Sequence, residues 1–223
     1  MKLYIYDHCP FCIKARMVFG LKQVPVELQT VLNDDVKTPT ALVGKKMVPI
    51  LQKDDGTAMG ESMDIVRYID ERFPMPEGDE EISCLAGPTR PEIAEWAKGI
   101  MPIVMRLAMP RWVKVPLKEF STESARSYFR HNKEKLIGMS FDEALAQTET
   151  LLAELKPHLD ALVPLIASPE AVNGALSEDD FTLFPVLRQL TVIKDVQFPS
   201  AVSAYLHHMA QRTAIPLHTN VAL

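Results

Sequence analysis

Two cysteines, in Cys9-Pro10-Phe11-Cys12, stand between an apolar run that reads as a strand, Leu3-Tyr4-Ile5-Tyr6, and one that reads as a helix, Ile13 to Leu21. No other feature constrains the chain so tightly, because a Cys-x-x-Cys pair at a strand-to-helix junction in a βαβ-like context is a thiol redox signature. Pro10 suits the first helical position: its fixed φ is helical, and the N–H it lacks would have had no partner there. Cys9 then falls at the N-cap, facing free backbone N–H groups and the positive end of the helix dipole. Cys12 lies three residues on, on the same helix face and near the spacing a disulfide requires. Its thiol belongs inside the first turn and is expected to be the more buried and less acidic of the two.

The dipole alone is too weak to make Cys9 a thiolate. A free thiol with a pKa of about 8.5 is only a few per cent ionised near neutrality, whereas thiols in such motifs reach roughly 3.5–7.5. The dipole contributes about 0.3–1 kcal/mol, at most about 2, which is less than about 1.5 pKa units. Hydrogen bonds from N–H groups to sulfur must therefore supply part of the shift. Asp7 would oppose ionisation if close, and Lys14 and Arg16 would favour it. The competing reading is a pair of small core residues. A zinc site would need two more ligands, and Cys84, His8, His131, His158, His207, His208 and His218 show no ligand spacing, so no metal is expected.

Val26 to Leu32 alternates and reads as a second strand. A short helix from about Thr38 to Val43 ends at Gly44, a C-cap glycine. Met47-Val48-Pro49-Ile50-Leu51 begins a third strand, and Asp54-Asp55-Gly56 turns it into a fourth around Ala58-Met59. Pro49 is anomalous there, since proline is confined to strand edges and starts. Apolar residues at 65, 66 and 69 then mark a helix with Ser62 as its expected N-cap. The order is β-α-β followed by α-β-β-α over residues 1–72. Residues 73–91, with six prolines and glycines around an acidic run (Glu77, Asp79, Glu80, Glu81), read as a solvated linker containing a bystander Cys84.

From Glu92 to Leu223 only helical patterns appear. One passes through Ile93, Trp96, Ile100 and Ile103 and is interrupted at Pro110-Arg111-Trp112. A second covers about 122–136. Phe141, Leu145, Thr148, Leu152, Leu155, Leu159 and Leu162 form one long amphipathic stripe, kinked at Pro157. Leu176 to Phe181 reads as a capping box on Ser177 and Asp180 with a hydrophobic staple, Pro185 is expected to bend the helix that follows, and a last helix spans about 200–213. Met101, Met105 and Met109 are expected in the helical core, with Arg106, Arg111 and Trp112 facing a cleft.

In Glu61-Ser62 at the start of the last helix, Val48-Pro49 before the third strand and the cysteine pair, all in this order, the N-terminal part resembles a thioredoxin-fold domain of the glutaredoxin and glutathione-transferase kind. With the helical part it resembles the glutathione-transferase architecture: an α/β domain, then an all-α domain. Asn33-Asp34-Asp35, Met47 to Lys53, Glu61 to Val66 and Asn173 to Asp180 extend the likeness over nearly the whole chain, which resembles the large bacterial glutaredoxins of type two. Phe11 stands where that family more commonly has tyrosine.

The resemblance implies a glutathione-dependent thiol–disulfide oxidoreductase acting through Cys9 and Cys12, with glutathione as co-substrate. It implies that Pro10 and Phe11 border the site, that Val48 offers its backbone to the cysteinyl part of glutathione, and that Pro49 is cis. Glu61 and Ser62 would hold the γ-glutamyl end; the simpler reading is a plain N-cap with a solvated carboxylate. Lys22 and Lys45 are candidates for the glycyl carboxylate, more simply surface lysines. Expected partners are glutathione and disulfide-containing or glutathionylated proteins, met by a monomer.

Composition narrows the class. Residues 1–75 carry ten basic and ten acidic side chains, and residues 76–223 fourteen and nineteen, so the net −5 lies wholly beyond residue 75 and gives no sign of nucleic-acid binding. Three cysteines make no disulfide scaffold, no apolar run approaches the roughly 20 residues of a membrane span, and the chain enters a strand within two residues, so no signal peptide is expected. A cytoplasmic protein is expected. Rival readings are a glutathione transferase, a single-thiol glutathione-dependent reductase, and a non-enzymatic redox-sensing adaptor; the second cysteine argues against the first two.

Overall fold

The computed structural model describes residues 1–79 and 81–223. Four short strands, β1 (Lys2–Ile5), β2 (Glu27–Thr30), β3 (Ile50–Gln52) and β4 (Ala58–Met59), form one sheet in the order β2-β1-β3-β4. β1 pairs parallel to β2 and antiparallel to β3, and β3 pairs antiparallel to β4. Parallel pairing of β1 and β2 needs a crossover, which is α1 (Pro10–Leu21). Helix α2 (Lys37–Val43) leads to β3 and closes on Gly44 at φ 78°, and α3 (Ser62–Arg72) packs beside α1. This is a thioredoxin-like arrangement.

The remaining helices are α4 (Pro91–Trp112), α5 (Glu123–Ile137), α6 (Phe141–Ala146), α7 (Thr148–Leu162), α8 (Glu178–Leu190) and α9 (Ser200–Arg212), with a 3₁₀ turn at Lys118–Phe120. Helix α8 packs against both α4 and α1, and eleven of its thirteen residues are buried. A helix apolar on nearly all sides must be covered on all sides. It joins the two halves into one hydrophobic core that runs from Leu3 and Ile5 to Leu206 and Met209.

Several local expectations are corrected. Helix α4 is not interrupted at Pro110 but runs to Trp112 with Pro102 and Pro110 inside it. Its buried face, through Ile93, Ile100, Val104 and Leu107, is covered by α6, α7 and α8. That burial outweighs the ~3 kcal/mol a helix proline costs. The long stripe from Phe141 is two helices, because Gln147 leaves helical geometry at ψ 8°. The Thr148 hydroxyl donates to the Leu145 carbonyl there at 2.7 Å, a local bond that competes with the helix. Leu151 rather than Leu152 is on the buried face of α7. The capping box on Ser177 and Asp180 is present, and α8 continues through Pro185.

The third strand starts at Ile50, so Pro49 precedes it rather than interrupting it, and the Val48–Pro49 peptide is cis. Ser62 is the first helical residue of α3, not its N-cap; that position belongs to Glu61 at φ 62°. The segment between α3 and α4 is pinned rather than solvated. Asp79 pairs with Arg212 at 2.9 Å, Glu81 accepts the Leu176 N–H at 2.9 Å, and Asp70 of α3 accepts from the Ser83 hydroxyl and the Cys84 N–H. Glu77 is exposed, and Glu80, the fourth acid of that run, lies outside the described residues. No helix among the described residues is long and apolar enough to cross a membrane.

Candidate active site

Cys9 occupies the N-cap of α1 in extended geometry, φ −78° and ψ 120°, with Pro10 directly after it. Its side chain is half-buried, while Cys12 is fully buried one turn in. The Cys9 thiol is held down to about 6. The largest cause is the hydrogen bond from the Cys12 thiol; the charge of His8 and the backbone N–H groups of Cys12 and Phe11 add to it, and together they outweigh burial. At such a value about nine-tenths of the sulfur is thiolate at neutral pH, against a few per cent for a free thiol. Cys12 moves the other way: burial and the bond it gives to Cys9 push its thiol up. Its Sγ accepts the Tyr6 N–H at 3.4 Å.

The anticipated neighbours behave differently. Asp7 does not face the thiolate unopposed, because its carboxylate takes Arg16 at 2.5 Å and Arg188 at 3.1 Å. Arg16 is thereby committed to Asp7 rather than to sulfur. Lys14 is partly buried, which lowers its pKa.

Cys9 opens onto a cleft with a volume of about 560 Å³ between the sheet domain and the helices. Pro10, Phe11 and Val48 line it with Cys9, and Phe11 is 58% exposed. Pro49 is buried behind Val48. The opposite wall is Met101, Met105, Met109 and Trp112 of α4, with Tyr128 and Phe129 of α5. The three methionines were expected in the core; they are instead half-buried on a second face of α4. Their spacing of four differs from the 93-97-100-104 spacing of the buried face, and that difference was the available signal. Trp112 faces the cleft as expected, whereas Arg111 is buried on the Leu223, Leu107 and Thr148 oxygens, and neither it nor Arg106 lines the cleft.

Glu61 and Ser62 sit at the N-terminus of α3, outside this lining. No side chain caps that helix, so its first N–H groups remain available to an anion. Glu61 is exposed and pairs with Lys45 at 3.1 Å. Lys22 is neither a ligand of the cleft nor a surface lysine. It is buried and bonds the Asp70 carboxylate at 2.7 Å and the Phe73 carbonyl at 2.8 Å. Lys46 and Lys133 are the lysines that line the cleft, and Lys46 is bonded to the Asn33 carbonyl at 2.6 Å and stands 3.7 Å from the Tyr128 ring centre. Cys84 is fully buried, and burial pushes its thiol up to about 12, which fits a bystander.

Comparison with known proteins agrees with this geometry. Residues 92–222 match the model of the glutaredoxin 2 C-terminal domain, and residues 3–78 that of the glutathione S-transferase N-terminal domain. Glutaredoxin 2 of Escherichia coli strain K12 is 48% identical over 223 residues, covering the whole of both chains. A crystal structure of glutaredoxin 2 from Salmonella typhimurium in complex with glutathione superimposes with a TM-score of 0.92 at 47% identity, over 100% of this chain and 98% of that one. A glutathione S-transferase from Rhodospirillum rubrum shares the fold at 19% identity and a TM-score of 0.62, over 99% and 90% of the two chains.

Proposed function

The chain belongs to the glutaredoxin 2 family, and from that premise we propose that Cys9 and Cys12 carry its thiol–disulfide chemistry, Cys9 attacking and Cys12 resolving. The protein is a glutathione-dependent thiol–disulfide oxidoreductase with glutathione as co-substrate. The observation that carries the assignment of roles is the opposite displacement of the two thiols, Cys9 held down to about 6 and Cys12 pushed up.

Cys9 thiolate attacks one sulfur of a substrate disulfide, forms a mixed disulfide, and releases the other sulfur as a thiolate that takes a proton. For a substrate disulfide whose two sulfurs belong to one protein, Cys12 loses its proton and attacks the Cys9 sulfur of the mixed disulfide. The second substrate thiol leaves and the Cys9–Cys12 bridge closes. One glutathione reopens the bridge as a Cys9–glutathione disulfide, and a second displaces Cys9 as oxidised glutathione. The balance is one disulfide and two glutathiones in, two thiols and one glutathione disulfide out. A glutathionylated substrate needs only Cys9, and a low-pKa sulfur is a good leaving group in the last displacement. Glutaredoxin potentials of roughly −200 to −230 mV let the reaction run both ways.

Glutathione is assigned to the cleft with its cysteinyl part on the Val48 backbone, bordered by Pro10 and Phe11 and backed by Pro49, in the manner of an added strand. Its γ-glutamyl end is assigned to Glu61 and Ser62. The uncapped start of α3 supports this, as does the positive φ of Glu61, a backbone departure of the kind concentrated at binding sites. We divide the chain into a glutaredoxin domain at 1–72, a connecting segment at 73–91 and a helical domain at 92–223, acting as a monomer in the cytoplasm on disulfide-containing or glutathionylated proteins. The exposed Phe11 at an open cleft suits a macromolecular substrate.

The test is a comparison of Cys9→Ser and Cys12→Ser. Cys9→Ser is expected to lose all exchange, since a hydroxyl is not ionised near neutrality. Cys12→Ser is expected to keep turnover of a glutathionylated substrate and to lose reduction of protein disulfides that requires the bridge. An active Cys9→Ser beside a Cys12→Ser dead toward glutathionylated substrate would reverse the roles.

A further inference from the structure

Glu119 has no part in the chemistry above, yet it is a fully buried carboxylate placed against the cysteine loop. It sits on the 3₁₀ turn Lys118–Phe120, 111 residues from His8 in sequence. One oxygen does all its bonding: Oε1 accepts the His8 backbone N–H at 3.0 Å and lies 2.9 Å from His8 Nδ1. Oε2 is buried with no hydrogen-bond partner among the described residues. Its backbone carbonyl accepts the Asn33 N–H at 2.9 Å, so the turn grips a second segment that lines the cleft. Removing a carboxylate from water costs several kcal/mol unless something compensates it. Here the compensating residue is the one covalently joined to Cys9.

His8 is boxed so that this contact fixes it. Tyr6 stacks on its ring at 5.6 Å and 9°, Phe120 lies at 4.9 Å, and Phe129 stands edge-on at 5.2 Å. A carboxylate only accepts, so Nδ1 must carry the proton and Nε2 is the free nitrogen. Such a carboxylate sets the tautomer and orientation of the ring.

We propose that Glu119 is a positioning residue for Cys9, by which the helical domain fixes His8 through its main chain and its ring and so sets where the Cys9 sulfur stands and how readily it ionises. This rests on the reading of Cys9 as the attacking thiol. The other charged groups around His8 are committed elsewhere. Asp7 is held by Arg16 and Arg188, and Lys46 by the Asn33 carbonyl. Lys133 of α5 stands 5.8 Å from the centre of the Phe129 ring. His218 packs on Trp112 at 4.8 Å, and burial, with Arg188 beside it, holds it down to about 3. On α1, Cys12 is buried and its thiol is bonded to Cys9. Glu119 is the carboxylate that reaches His8.

The experiment measures the rate of Cys9 alkylation, located by peptide mapping, over about pH 4 to 9 in the full-length wild type, Glu119→Gln, His8→Asn and the double variant. The asparagine side chain keeps a donor where Nδ1 stood and loses the ring. Each single substitution is expected to raise the midpoint by about one unit, or roughly ten-fold fewer thiolates below it. The double variant is expected to go no further than either, because both act through one pair. An unmoved midpoint in a Glu119→Gln protein that keeps its near-ultraviolet spectrum would overturn the proposal, as would shifts that add. Should Glu119→Gln not fold, Glu119→Asp takes its place: its shorter carboxylate misses His8 and the same rise is expected, while a wild-type midpoint overturns the proposal. A wild-type Cys9 that ionises only near pH 8.5 would instead overturn the reading of Cys9 itself.

Discussion

Arg188 of α8 donates Nη1 to the backbone carbonyl of Asp7 at 2.8 Å and Nη2 to its carboxylate at 3.1 Å, across 181 residues of chain. The guanidinium is almost fully buried and spends its Nε on the Pro216 carbonyl at 2.9 Å. Asp7 is two residues from Cys9, and an unpaired carboxylate there would raise the thiol it adjoins. Arg188 and Arg16 together neutralise it. The helical domain therefore acts on the cysteine loop by removing an opposing charge.

Stability should record that pair as a function of pH. Burial works against ionising Asp7, but the charges of Arg188 and then Arg16 outweigh it and hold the carboxyl at about 2, below the ordinary 3.8. A carboxyl depressed in the folded state adds stability above its unfolded pKa, and that stability drains away as pH falls through the folded value. Denaturant unfolding of the wild type is expected to lose about 2 kcal/mol between about pH 4 and pH 2 from this group. The Asp7→Asn variant should lack that share of the loss. Parallel stability curves for the two proteins would exclude the assignment.

Glutathione saturation should respond to the start of α3. Losing a hydrogen bond to a charged partner costs roughly 1.5–3 kcal/mol. Glu61→Gln and Ser62→Ala are each expected to raise the KM for glutathione about ten-fold or more, with a smaller effect on kcat. Steady-state kinetics with varied glutathione decides it. Unchanged saturation in both variants would return Glu61 to a solvated carboxylate paired with Lys45.

Gly20 marks a place where α1 admits no side chain. A Cβ there would fall 1.9 Å from the Thr213 carbonyl oxygen, a backbone atom at the end of α9 that cannot swing aside. Gly20→Ala should destabilise the protein by about 3 kcal/mol, the upper part of the overpacking range, although alanine is the better helix former by roughly 1 kcal/mol. A thermal melt at or above the wild-type midpoint would show that the α1–α9 approach is looser than this.

Much of the site is local and was therefore written in the sequence. Pro10 at the first helical position places Cys9 at an N-cap, and three residues of helix place Cys12 behind it. The strand and helix order follows from apolar periods of two and three to four, and so does the α/β-then-helical division. Periodicity reports that a face is apolar but not what covers it. Leu107 went to the core and Met105 to the cleft wall on the same helix, and Lys22 was drawn into the interior by Asp70. The helix boundary at Pro110 was likewise decided by packing, which outweighs a proline, whereas the break at Gln147 goes with the local bond from the Thr148 hydroxyl to the Leu145 carbonyl. The charges that govern Cys9 lay furthest from legibility. His8 meets Glu119 across 111 residues and Asp7 meets Arg188 across 181. Burial makes each pairing obligatory once the chain has folded, but no spacing along the chain announces it, because a buried charge is matched by whatever the tertiary fold brings within reach.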